Sequence, residues 1–160
     1  MFHERKKTPH RRKPAAIDAA TLAFLERARV AHLATADAQG RPHVVPICFV
    51  CDGRDLFTPL DEKPKRVPVE RLRRVRNLQA NPYIAVVVDT YDEDWSRLGW
   101  VMLFGTARLL RKGARHAEAL RRLEAKYPQY QAMELLAHRP PVIWIRIQRI
   151  VRWGAVPSPE

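Results

Sequence analysis

At 160 residues and 18.5 kDa the chain can bury one sizeable core, so a single globular domain is expected. Its 46% hydrophobic content excludes a largely disordered protein. No apolar run approaches the ~18 residues of a membrane span, and the first residues lack a signal peptide's hydrophobic stretch. A cytoplasmic protein with no membrane partner is therefore the expectation. The formal charge of +12 is unevenly spread: "MFHERKKTPHRRKP", residues 1–14, holds six Lys/Arg against one acid. Such a leader cannot bury a core. Residues 1–16 read as a basic flexible arm and residues 17–156 as the folded domain. Solubilisation is the simpler role for the arm, with nucleic acid the less favoured partner.

In chain order, Asp18 suits the N-cap of a helix over "AATLAFLERAR". "VAHLATAD", 30–37, reads as a strand and "AQGR" places Gly40 in a tight turn. "PHVVPICFVC", 42–51, is its partner strand, and "DGR" turns the chain into a third strand at 55–60. These three are expected to form a meander.

The next segment, "DEKPKRVPVERLRRVRNLQANP", packs seven Lys/Arg and three acids into 22 residues. Pro64 and Pro68 keep its first half irregular, and "VERLRRVRNLQAN" predicts a helix ended by Pro82. "YIAVVVDTY", 83–91, is apolar enough to predict a strand buried on both faces. The acidic loop "DEDWSRLG" leads to a long strand, 100–110. A helical region near 113–136 carries Leu120, Leu123, Tyr127 and Tyr130 on one stripe, and a last strand covers 141–153. Six strands joined mostly by hairpins predict a mainly β fold, an antiparallel barrel with helices plugging or flanking its ends.

Familiar catalytic signatures are missing. Ser96 and Ser158 are the only serines, and neither lies in GxSxG; HExxH, Walker and GxGxxG motifs are absent too. Cys48 and Cys51 sit in an alternating strand rather than at a helix start, so both read as small core residues. Asp92, Glu93 and Asp94 read as a solvated turn, and no metal site is expected. This leaves binding, or chemistry carried by an organic cofactor.

The cationic segment offers one place for such a group. On its helix Leu72, Val75 and Leu78 share one face, while Arg73 and Arg74 lie four and three residues from Asn77. Lys63, Lys65 and Arg66 precede the helix, and Thr58 ends the strand before it. Arginine forks and a helix N-terminus together suit a phosphate. Spacing alone is equally compatible with a solvated surface helix.

Four stretches are similar to the flavin-binding split β-barrels related to pyridoxamine 5′-phosphate oxidase. "LATADAQGRPHVVPICF" resembles that family's first hairpin. "LFT" followed by "RLRRVRNLQANPYIAVVV" resembles its aromatic-Thr, basic-pair and Asn-Pro pattern. "WVMLFGTARLL" resembles the strand whose Gly-x-Ala closes against the cofactor. "KPKR" with "DEDWSRLGWV" looks like the subgroup assigned to the deazaflavin coenzyme F-420.

The resemblance implies a six-stranded split β-barrel homodimer with cofactor at the subunit interface, F-420 first and FMN as the alternative. Arg73 and Arg74 match the phosphate-gripping pair, although the second position is usually Lys. Thr58 matches the threonine at the phosphate. Val44, Val45 and Pro46 match the strand along the ring. Trp100 matches a residue supplied by the second subunit, and Trp95 lines the same mouth. Lys63, Lys65 and Arg66 are extra cations suited to a more anionic ligand than FMN. The implied activity is hydride transfer to or from a small organic substrate. A non-catalytic binder of cofactor, haem or nucleic acid is the remaining alternative.

Overall fold

A computed structural model describes residues 15–60 and 68–156. Five α-helices and seven strands occupy them: α1 Ala19–Arg27, β1 Ala31–Ala36, β2 Pro42–Ile47, β3 Val50–Cys51, β4 Asp55–Pro59, α2 Arg73–Ala80, β5 Tyr83–Thr90, β6 Gly99–Leu110, α3 Ala114–Lys126, α4 Pro128–Ala132, α5 Leu135–His138 and β7 Val142–Gly154. Short 3-10 turns at Val69–Arg71 and Trp95–Arg97 complete the set.

Local chemistry explains the boundaries. Asp18 caps α1, accepting from the Thr21 N–H at 2.9 Å. At the β1–β2 turn Asp37 accepts from the N–H groups of Gln39 and Arg41, and Gly40 takes a φ of +77°. The helix expected from Val69 onward is interrupted at Leu72, whose backbone is not helical, so the regular helix starts at Arg73. The long helical region divides into α3, α4 and α5, with Pro128 opening α4 and the left-handed Glu134 preceding α5.

All seven strands form one antiparallel sheet in the order β2-β1-β5-β6-β7-β4-β3. The predicted strand over 42–51 is therefore two strands, which raises the count from six to seven. It also dissolves the expected meander, because β2 and β3 lie at opposite edges of the sheet. Only Cys48 and Phe49 separate them, so the sheet must curl until its edges meet.

The Tyr127 side chain pins this corner. Its hydroxyl accepts from the Phe49 N–H at 3.0 Å and lies 3.0 Å from the carbonyls of Phe49 and Arg29. The backbone groups that leave the ladder at Phe49 are thus satisfied.

The core lies on both sides of the sheet. Inside the curl, Leu33, Ile47, Leu56, Val86, Leu103 and Ile145 pack with Phe24 and Leu25 of α1 and Val75 and Leu78 of α2. Outside, Phe57, Val142 and Trp144 pack under Leu120, Leu123, Tyr127 and Tyr130 from the α3–α5 side. Cys51 is buried in the inner cluster and Cys48 packs against the outer one.

The outer face of β2, β1, β5 and β6 is more open. In β5 only Ile84, Val86 and Val88 are buried, so the expectation of two buried faces fails within one chain. No helix among the described residues is long and apolar enough to cross a membrane.

Candidate functional site

The sheet register places His43 on β2 opposite Thr35 on β1. Thr35 is buried, and its hydroxyl accepts from Asn77 Nδ2 at 2.9 Å. That bond ties the middle of α2 to the β1–β2 hairpin and sets the first turn of α2 against His43. Burial holds the His43 imidazole below its ordinary pKa, and the positive charges of Arg73 and Arg74 push the same way. His43 Nδ1 is buried without a hydrogen-bond partner. Two guanidinium groups and an unpartnered ring nitrogen thus converge where helix and hairpin meet. An oxyanion would relieve the mutual repulsion and could accept a proton from the imidazole.

Other residues singled out in the sequence fall around this point unevenly. Arg73 is exposed and Arg74 half-buried. Asn77 is 2% exposed and donates to Thr35, so its amide holds the helix in place. Val44 and Pro46 are exposed on the outer face of the edge strand, free to flank a flat ring, whereas Val45 points inward and packs on the core. Thr58 is buried on β4 opposite Ile143 of β7. Lys63, Lys65 and Arg66 lie outside the described residues.

Trp100 stands opposite Asp89 on the outer face and stacks on Trp153, with centroids 6.5 Å apart and planes 18° from parallel. Trp95 is 74% exposed in the turn preceding β6. Trp100 lies four residues from Phe104 along β6, about 13 Å in an extended strand. The adjacent strands place Phe104 level with Ala85 and Ala34, and Ala34 adjoins Thr35. Within one chain Trp100 therefore stands apart from the cationic point. His43 is the residue that sequence reasoning missed. Its only signal was alternation with Val45, which gave no hint of the arginines thirty residues on.

The acidic loop serves the local backbone. Asp94 accepts from the Ser96 N–H and hydroxyl, and Arg97 pairs with Asp92 and Asp94. Gly105 sits at a bulge between β6 and β7, where an added Cβ would lie 2.0 Å from the Arg146 carbonyl oxygen. The Gly in the Gly-x-Ala stretch is thus required by a close backbone approach.

The curled antiparallel sheet with its flanking helices defines a split β-barrel protein. The family model described as pyridoxamine 5′-phosphate oxidase matches residues 17–154, and the chain belongs to that family. No curated protein matches.

Among solved structures, the chain is similar to the protein Rv2991 of Mycobacterium tuberculosis, at 17% identity and a TM-score of 0.69, covering 96% of each chain. It is also similar to HutZ, the heme storage protein of Vibrio cholerae, at 17% identity and a TM-score of 0.63, covering 86% of this chain and 94% of that one. HupZ of Group A Streptococcus aligns at 18% identity and a TM-score of 0.61, covering 90% of this chain and 99% of that one. At these identities the likeness is one of fold.

Proposed function

We propose that the protein is a homodimeric oxidoreductase that binds the deazaflavin coenzyme F-420, with FMN as the alternative, and acts on a small organic substrate. The observation that carries this reading is the meeting of Arg73, Arg74 and the unpartnered His43 Nδ1 at the start of α2. These groups fit a phosphate. The exposed Val44 and Pro46 edge fits one side of a flat ring. When bound, the cofactor supplies hydride transfer, and the chain contributes binding and orientation. Arg73 and Arg74 neutralise the phosphate, and His43 donates to it once protonated. The exposed outer face of β2, β1, β5 and β6 suits a second copy, which would bring its own Trp100 toward the ring. The reading extends to a cytoplasmic protein for which nucleic acid is not the main partner.

The test is titration of the purified protein with F-420, FMN and haemin in parallel, followed by tryptophan quenching and absorbance. Binding of F-420, weakened at least tenfold by Arg73→Gln with Arg74→Gln, is expected. FMN binding alone, with the same sensitivity, would move the protein to the flavin branch. Haem binding that ignores the arginines would support a haem-handling role, for which HutZ supplies the fold precedent.

A further inference from the structure

A second concentration of positive charge lies on the outer side of the sheet, beyond the Gly105 bulge. There Thr106 pairs with Arg146 and Arg108 with Trp144 across β6 and β7. These four residues, with Pro82 and Ala107, line a cavity of about 520 Å³. That volume lies within the range of sites for small organic molecules.

Three guanidinium groups surround the Trp144 ring: Arg108 at 4.3 Å from its centroid, Arg115 at 4.6 Å and Arg146 at 5.3 Å. Asp55 neutralises only Arg115, at 2.7 Å. Among the described residues no carboxylate lies within ion-pairing distance of Arg108 or Arg146. Stacking on an indole face steadies a guanidinium and leaves its N–H edge available. Trp144 is only 7% exposed, yet its Nε1–H is buried without an acceptor, an arrangement native proteins rarely leave unfilled. The cavity wall thus offers two unneutralised arginine forks and the Thr106 hydroxyl, beside a Trp144 ring whose buried N–H lacks an acceptor.

This site is separate from the one at His43. Three strand spacings, roughly 14 Å, divide β2 from β6. His43 alternates with the exposed Val44 and shares its face with the core residue Val45, whereas Thr106 and Arg108 alternate with the core residue Ala107 and face outward.

We infer that the Arg108–Trp144–Arg146 cavity is a binding site for a small organic oxyanion, a molecule carrying a phosphate or carboxylate group. The group sits between the forks of Arg108 and Arg146 and accepts from the Trp144 indole. The inference does not depend on which cofactor the protein uses.

The experiment follows the tryptophan indole N–H signals of the full chain by proton–nitrogen NMR, with the Trp144 signal assigned by its loss in Trp144→Phe. Sodium pyrophosphate and sodium citrate are the probes, with sodium chloride at matched ionic strength as the control. A saturable shift of the Trp144 signal is expected with at least one probe and not with chloride. Affinity should fall tenfold or more in Arg108→Gln with Arg146→Gln, and stay within twofold in Arg73→Gln with Arg74→Gln. If the first pair does not fold, Arg146→Gln alone is read in the same way, with a loss of threefold or more. A Trp144 signal that never saturates, or one whose titration survives loss of Arg108 and Arg146, overturns the site. A titration abolished instead by the α2 substitutions would assign the anion to the His43 site and equally overturn it.

Discussion

Lys126 shows what a single side chain contributes on this fold. Its ammonium lies 4.0 Å from the centroid of the Phe49 ring and donates to the Leu25 carbonyl at 3.3 Å. Burial, then the neighbouring Arg29 charge, lowers its pKa to about 8 from 10.5. Between those values the unfolded chain holds a proton that the folded chain has released. This group therefore makes stability rise as pH increases from about 8 to about 10.5. Lys126→Met should remove that rise, leaving the opposite trend from Cys51, whose thiol is pushed up by burial from 9.0 to about 11. Urea unfolding at closely spaced pH values compares the two slopes. Gly105 tests sterics at the same scale. A Cβ placed 2.0 Å from a backbone oxygen forces the β6–β7 ladder apart, so Gly105→Ala should cost roughly 2–4 kcal/mol, read as a lowered denaturation midpoint.

At the scale of elements, the decisive feature is the corner at Cys48 and Phe49. The apolar run from 42 to 51 looks continuous because both its halves alternate, and nothing in it marks where the chain leaves one sheet edge for the other. The corner is stabilised from a distance by Tyr127, whose pKa rises to about 12 chiefly through burial. Tyr127→Phe keeps the ring but strands the Phe49 amide, at a cost of about 1–3 kcal/mol. Thermal unfolding should show it, with the far-UV spectrum unchanged. The α2 helix teaches the complementary lesson. Leu72, Val75 and Leu78 declared its buried face, but Asn77, which looks like a surface polar residue, belongs to the interior because Thr35 awaits it.

At the scale of the whole molecule, the two outer faces of the sheet differ. Helices α3–α5 cover β3, β4 and the first residues of β7, while Val44, Tyr83 and Trp153, at the far end of β7, remain 57%, 58% and 54% exposed. Apolar side chains this open suit an interface between copies. Sedimentation should give a dimer near neutral pH, and Tyr83→Glu with Trp153→Glu should shift it to monomer while the fold persists. A wild-type chain that stays monomeric at high micromolar concentration would remove the second subunit's Trp100 from the proposed site.

The sequence by itself determined the antiparallel, mainly β class, the positions of most strands and turns, the α1 cap and the basic character of the α2 start. Those properties depend on periodicity and turn chemistry within about ten residues. Tertiary structure decided which strands became edges, that 42–51 is two strands, and that His43 meets Arg73 and Arg74. It also placed Arg108, Arg115 and Arg146 around one indole ring. Each of these depends on the register and curl of the sheet, which brings together residues far apart in the chain, and no local pattern carries that information.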